Sequence, residues 1–200
     1  MPAERLKIMV ASTVHGFAEN LEAVYATLTE FGYEVWCSYK GTIPAHPGKS
    51  NLDNCIEAAK NCDLFLGILR PYYGSGVIGA TSITHEEVKT AVDKNKPRWF
   101  LAHRDIDLIR QLLKKLYIEN SDSSRNRNFQ LERGPILDDL RVLDTYNYAL
   151  MNHVPVEDRT GHWVQPYFNF SAEGMDYIRF QFKDIDGIRK IVNQMKQENE

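Results

Sequence analysis

Short apolar runs alternate with helix-patterned segments through the first 119 residues of the chain. The runs have the length of β-strands and cover Leu6–Ala11, Tyr33–Tyr39, Asp63–Arg70 and Pro97–His103. The third run, "DLFLGILR", is almost continuously apolar, which is typical of a central strand covered on both faces. Because strands that alternate with helices need crossover connections, the pattern predicts a mainly parallel, doubly wound sheet with helices on both faces.

The segments between these runs carry apolar residues at helical spacing. They predict helices over Phe17–Phe31, from about 51 to 61, across the stretch that contains Glu86 and Glu87, and over Asp105–Glu119. Near the C-terminus, Tyr177–Phe182 alternates apolar and polar residues and predicts a further strand, so that the sheet has about five. Asp184–Glu198 predicts a closing helix.

The length of 200 residues favours a single domain spanning 1–200. Residues 6–119 form its predicted α/β core, residues 120–134 an exposed polar loop, and residues 135–200 a C-terminal part that completes the sheet and ends in a helix. Within that part, Asp158–Phe168 concentrates aromatic and hydrogen-bonding groups. It can cover the edge of the sheet or fold over a binding pocket, and covering the edge is favoured.

Charge and cysteine content narrow the function classes. The formal net charge is −3 and basic residues are scattered, which argues against duplex nucleic acid as the main partner. An acid and two bases precede a very short apolar run at the N-terminus, so we expect no signal peptide, no membrane partner and a cytoplasmic location. Cys37, Cys55 and Cys62 lack metal-site spacing and are predicted to be buried, reduced thiols.

Ligands of an open parallel sheet bind outside the carboxyl ends of its strands. The loops at those ends hold the candidate binding residues Ser12, Thr13, His15, Tyr39, Lys40, Arg70, Tyr72, Tyr73, Gly74, Ser82 and Thr84. The six histidines lack the spacing of metal ligands, so we expect no metal and no resident cofactor.

A glycine-rich loop with Gly74, Gly76 and Gly79 precedes the adjacent Glu86 and Glu87. Helical geometry separates these two glutamates. The helix must bury Val88, Ala91 and Val92, and each residue step rotates by about 100°. Glu86 then points away from the buried stripe, whereas Glu87 lies at its edge, on the turn nearest the carboxyl ends of the strands. Glu87 is therefore the candidate functional carboxylate. The alternative is that both acids only stabilise the first turn through the helix dipole.

Three stretches together resemble a known family. "IMVAST", "PGKSNLDNCIEAAKNCDLFLGIL" and "YYGS…SITHEEVKTA" are similar to a TIR-like group known mainly as domains of unknown function, related to bacterial TIR domains and more distantly to nucleoside 2-deoxyribosyltransferases. The resemblance covers roughly Leu6–His103. It implies a three-layer flavodoxin-like or TIR-like α/β fold.

Individual positions follow the family pattern. Ser12 takes the place of the serine that ends the first TIR strand, and Pro47, Gly48 and Ser50 take that of the loop before the second helix. Glu87, five residues after Ser82, takes the place of the catalytic glutamate. The chain departs from the pattern at Ile83 and Thr84, where TIR domains have Trp-Cys, so that Tyr72, Tyr73 or Trp36 would have to supply the missing aromatic ring.

The resemblance implies cleavage or exchange of the N-glycosidic bond of NAD or a related nucleotide, with Glu87 as the catalytic group. Arg70, Lys40 and loop amides would then hold a pyrophosphate. It also implies self-association and a role in bacterial immune signalling. One alternative is a non-catalytic TIR-like module that senses a nucleotide or binds a protein. A further alternative is a nucleoside 2-deoxyribosyltransferase.

Overall fold

A five-stranded sheet forms the centre of the protein in a computed structural model, which describes residues 4–74, 77–78, 81–117, 126, 128–132, 134 and 136–198. Its strands are β1 (Lys7–Ser12), β2 (Glu34–Cys37), β3 (Leu64–Leu69), β6 (Arg98–His103) and β7 (Val164–Tyr167). They run in the order β2-β1-β3-β6-β7, and every pairing is parallel. A separate antiparallel pair, β4 (Val77–Ile78) and β5 (Thr81–Ser82), follows β3.

Helices cover both faces of this sheet. They are α1 (Ala18–Glu30), α2 (Asn51–Asn61), α3 (Ile83–Asp93), α4 (Arg104–Tyr117), α5 (Arg141–Ala149), α6 (Met175–Phe182) and α7 (Ile185–Glu198). The core on one face takes residues from α2, α3, α4 and α5, and the core on the other takes residues from α1, α6 and α7. Within the described ranges, none of the helices has the length and apolar content that a membrane crossing requires.

Strand residues alternate between the two cores, as the pleat of a strand dictates. In β1, Met9 and Ala11 join the α2–α3–α5 side, whereas Ile8 and Val10 join the α1–α6–α7 side. All six residues of β3 are buried, which confirms the prediction that this apolar run is the central strand. The structure thus confirms a flavodoxin-like, three-layer α/β fold.

The fifth strand is not the segment that the sequence predicts. Residues 177–182 lie in α6, where Met175, Ile178 and Phe182 are buried at helical spacing and Phe180 is exposed. Their apparent alternation is accidental, because burial follows the 3.6-residue period. The fifth strand is β7, from Val164 to Tyr167, at the edge next to β6.

β7 lies inside the 158–168 segment, for which a position at the sheet edge is predicted, and the structure confirms that position. Pro166 has no N–H to donate, and proline is tolerated in an edge strand. The predicted polar loop at 120–134 falls mostly outside the described residues. The three cysteines are free and buried, as predicted.

The strand order fixes where a ligand can bind. β1 and β3 are neighbours, with Ser12 at the end of β1 opposite Ile68 near the end of β3. The chain leaves β1 towards β2 on one side and leaves β3 towards β6 on the other. The loops therefore diverge at the carboxyl ends of these two strands and open a crevice, the topological switch point at which α/β sheets bind ligands.

Candidate active site

A cleft of about 880 Å³ occupies this switch point. The loop after β1 contributes residues 12–15, the loop after β3 residues 72–74, and the start of α3 residues 82–84. The segment after β2 contributes residues 38–45 in part, and α2 contributes Asn51, Asn54 and Cys55. Asp138 and Asp139 lie on the wall before α5. Cavities of this volume accommodate small-molecule ligands of nucleoside or nucleotide size.

Glu87 lies on the wall of the cleft and is only 3% exposed. Burial raises the pKa of its carboxyl from the ordinary value of 4.5 to about 7. A carboxyl with such a pKa changes between its charged and neutral forms near neutral pH, as catalytic acids and bases do. Glu86 is partly exposed and pairs with Lys89 and Thr81, so the two glutamates separate as the helical spacing predicts.

The thiol of Cys55, on α2, interacts with the Glu87 carboxyl and lowers its pKa, partly offsetting the effect of burial. Burial and the nearby Glu87 raise the pKa of Cys55 to about 12. The thiol therefore stays protonated at neutral pH and acts as a hydrogen-bond donor, not as a nucleophile.

A buried network fixes the start of α3 beside the cleft. The Tyr73 hydroxyl accepts a hydrogen bond from Ser82 N at 3.0 Å and contacts His85 Nδ1 at 2.8 Å. Burial lowers the pKa of His85 to about 4, so the imidazole is neutral. The direction of the Tyr73–His85 hydrogen bond follows the tautomer of the neutral imidazole: Nδ1 accepts the Tyr73 proton when His85 is protonated on Nε2, and donates to the Tyr73 oxygen when it is protonated on Nδ1. Ser82 Oγ caps α3 by accepting from His85 N.

Two further hydrogen bonds hold the β3 loop in place. Asp138 Oδ1 accepts from Tyr73 N at 2.8 Å, and Thr13 Oγ1 donates to the carbonyl of Tyr72 at 2.9 Å. Gly74 has a positive φ of 90°, and an added Cβ would lie 3.3 Å from the Thr13 methyl group. This close approach in a left-handed conformation requires glycine.

Comparison with known proteins assigns the chain to a family without assigning a reaction. Residues 7–155 match the family model described as a domain of unknown function, DUF4062. The chain belongs to the DUF4062 family. Every residue on the cleft wall falls inside the matched part of this DUF4062 domain. No curated protein matches the chain significantly.

Nine of the twelve predicted site residues come together in the cleft of the DUF4062 domain. They are Ser12, Thr13, His15, Tyr72, Tyr73, Gly74, Ser82, Thr84 and Glu87. The structure does not bring Tyr39, Lys40 or Arg70 to its wall. Trp36, predicted as one substitute for the missing aromatic residue, is nearly buried and borders a separate groove beside residues 44–49.

Arg70 supports the β1 loop instead of facing the cleft. Its guanidinium donates to the backbone carbonyls of Thr13, His15 and Gly16. It also stacks 4.4 Å from the ring centre of Phe17 and 5.1 Å from that of Tyr72. These contacts occupy both N–H groups of Nη1 and one of Nη2, and the guanidinium borders a small pocket that shares Thr13, Tyr72 and Ser82 with the cleft.

Lys40 lies on the side of α1. Its Nζ is 2.8 Å from Glu22 Oε2 and 5.2 Å from the centre of the Tyr25 ring. The neighbouring Tyr39 is partly exposed in the short 3₁₀ turn that follows β2.

Sequence reasoning missed the contributions of α2 and of the segment before α5. The sequence did indicate that Cys55 is buried, because Cys55 shares a helical face with Cys62, but it did not indicate that Cys55 lies at the site. Asn54 has no such signal. Asp138 lies in a region without clear periodicity, where only the tertiary fold brings it to the cleft.

Proposed function

We propose that the protein cleaves or transfers the N-glycosidic bond of NAD, a related nucleotide or a nucleoside, and that Glu87 is the catalytic carboxylate. The observation that carries this proposal is the position of Glu87, almost fully buried yet on the wall of the cleft at the sheet's switch point. The resemblance to TIR domains, which places a catalytic glutamate at this position, gives independent support.

The chemistry needs one well-placed carboxylate. As the bond between C1′ and the base breaks, its electron pair leaves with the base and positive charge develops on the ribose ring. Ionised Glu87 stabilises that charge or attacks C1′ as a nucleophile. In hydrolysis, water supplies the oxygen that ends on C1′. One proton of that water goes to the departing base, or to solvent when the base leaves as a neutral pyridine.

Neighbouring groups are suited to holding such a substrate. Tyr72 and His15 meet edge to face, with ring centres 5.9 Å apart, at the mouth of the cleft and offer a surface for a base. Ser12 is a nearly buried polar residue on the wall and can hydrogen-bond a ribose hydroxyl, whereas the amide of Asn54 is held by the backbone of His46. These are substrate-binding roles within the proposal.

The test is product analysis by chromatography after incubation with NAD, NADP and a panel of nucleotides and nucleosides. Wild-type protein is compared with Glu87→Gln and with Glu86→Gln, a matched control that alters the adjacent, outward carboxylate. The resemblance implies self-association, so concentrated protein is included. The proposal predicts base release by wild type and by Glu86→Gln, with at least about a hundredfold loss in Glu87→Gln.

Base release by a folded Glu87→Gln variant at the wild-type rate would refute the mechanism. Binding of a nucleotide without turnover in all three proteins would favour the non-catalytic sensing module. Exchange of bases on deoxynucleosides would favour the deoxyribosyltransferase alternative. The proposed role in bacterial immune signalling rests on the resemblance alone.

A further inference from the structure

The charge of the cleft is unfavourable for phosphate groups. Three carboxylates lie on its wall, those of Glu87, Asp138 and Asp139, and within the part of the chain that the structure describes no lysine or arginine does. Asp139 is paired with Arg141. The Asp138 carboxylate accepts a hydrogen bond from a backbone N–H. Because Arg141 neutralises Asp139, the described wall keeps a modest net negative charge from Asp138 and from the ionised fraction of Glu87.

The two basic residues predicted to bind a pyrophosphate are occupied elsewhere. The guanidinium of Arg70 donates to backbone carbonyls of the β1 loop, and the ammonium of Lys40 is paired with Glu22. Freeing either group would break contacts that the fold itself uses. Lys40 does not line the cleft, and Arg70 lines only a small adjoining pocket that shares Thr13, Tyr72 and Ser82 with it.

Helix N-termini bind phosphates in many α/β proteins, but those beside this cleft are already capped. The Ser50 hydroxyl accepts from Asp53 N at the start of α2, and Asp53 adds an acid to that first turn. The Ser82 hydroxyl caps α3 in the same way, with Glu86 in its first turn. In each helix, an acidic side chain in the first turn thus already compensates the positive end of the helix dipole.

We infer that the substrate of this cleft is a phosphate-free N-glycoside, a nucleoside, and not a nucleotide or dinucleotide. This inference rests on the proposed function, since it names the substrate class of the same site. An acidic wall repels phosphates but favours a neutral nucleoside, and favours even more a cationic pyridinium riboside. The same carboxylates then stabilise the positive charge that passes to the ribose as the bond breaks.

The decisive comparison is between nicotinamide riboside and its 5′-monophosphate, which have the same ribose and leaving group and differ by one phosphate. At low ionic strength, kcat/KM for the riboside is expected to exceed that for the monophosphate by about tenfold or more, with NAD lower still. Raising the ionic strength should narrow the gap, because salt screens the repulsion. Equal or higher kcat/KM for the monophosphate or NAD would overturn the inference.

Two variants connect the selectivity to named residues. Asp138→Asn keeps an acceptor for Tyr73 N but removes the negative charge, so the ratio of riboside to monophosphate kcat/KM should fall. Arg70→Lys should affect both substrates equally if Arg70 only supports the β1 loop. A selective loss of monophosphate turnover in Arg70→Lys would contradict the inference by indicating that Arg70 contacts phosphate.

The inference and the proposed function fail in different ways. If no compound loses its base in a Glu87-dependent manner, the proposed function fails, and calorimetric titration with adenosine and AMP then tests the substrate class alone. Tighter binding of adenosine would support a phosphate-free ligand. Tighter binding of AMP, or binding of neither compound, would overturn it.

Discussion

The thiol of Cys55 on α2 interacts with the carboxyl of Glu87 on α3, and both residues lie on the wall of the cleft. α2 and α3 pack on the same face of the sheet, so this contact joins two neighbouring helices at the candidate catalytic group. Burial raises the pKa of Glu87, and the thiol opposes that rise. Replacing Cys55 should therefore alter the ionisation of Glu87.

The pH dependence of turnover should report this contact. If ionised Glu87 is the active form, kcat/KM rises with pH around a midpoint near 7 and levels off above it. Cys55→Ala removes the donor and should move the midpoint upward by about half a unit to one unit. Cys55→Ser keeps a donor and should stay at or below the wild-type midpoint. A rate that falls as pH rises through 7 would instead assign Glu87 the role of a general acid.

Folding stability should depend on pH through the same carboxyl. Its pKa is higher in the folded protein than the ordinary 4.5, so the folded state holds its proton more tightly. Wild type should then lose stability relative to Glu87→Gln as pH rises from about 4.5 to about 7. The change in the difference is on the order of 3 kcal/mol.

Urea unfolding of wild type and of Glu87→Gln between pH 5 and pH 8 measures the difference between their free energies of unfolding. His85 acts in the opposite direction, because its lowered pKa costs stability as pH falls below 6.5 towards 4. Since His85 is present in both proteins, its effect cancels in the comparison. A difference in unfolding free energy that stays constant with pH would show that Glu87 does not titrate in this range.

Tyr73→Phe should destabilise the start of α3. It leaves Ser82 N and His85 Nδ1 without the hydroxyl that each contacts, at a cost of about 2–4 kcal/mol. Tyr33→Phe is the matched control, because its buried hydroxyl makes one bond, to the Phe182 carbonyl at 3.0 Å, on the other face of the sheet. Denaturant unfolding should give a smaller loss for Tyr33→Phe. Equal losses would mean that the Tyr73 network adds nothing beyond one hydrogen bond.

Gly161→Ala should be more destabilising than Gly41→Ala. Both glycines have positive φ, 59° and 66°, so both variants pay about 1 kcal/mol for the left-handed conformation. At Gly161 the new Cβ would also lie 3.1 Å from the guanidinium carbon of buried Arg98, whereas at Gly41 it meets nothing within 4 Å. Thermal unfolding should show a larger decrease in Tm for Gly161→Ala, and equal decreases would mean that Arg98 relaxes freely.

The alternating pattern predicted most of the sheet but not its last strand. β1, β2, β3 and β6 form where short apolar or aromatic runs predict them, and the run is almost continuously apolar at β3, because a strand buried on both faces excludes polar residues. β7 has mixed polarity and contains Pro166, so its sequence lacks the apolar run that would predict a strand. Residues 177–182 satisfy a strand pattern and a helix pattern at once, and packing against the α1 side selects the helix.

In the site, too, the sequence pattern predicted some features and only the tertiary structure decided others. Helical spacing alone predicted that Glu87, and not Glu86, faces inward, because the buried stripe of α3 fixes the rotation of the helix. Proximity to a strand end predicted Arg70 as a ligand residue, but the direction of its side chain depends on carbonyls of another loop. Asp138 is far from the strands in sequence and reaches the cleft by way of Tyr73.

The sequence by itself determined the layer architecture, the central strand and the inward face of α3, since each depends on local periodicity and burial. Only the tertiary structure decided the charge of the cleft, the Cys55–Glu87 contact and the supporting role of Arg70. Those properties depend on groups brought together from distant segments, and the desolvation that raises the pKa of Glu87 exists only once α2, α3 and the strand-end loops have closed around it.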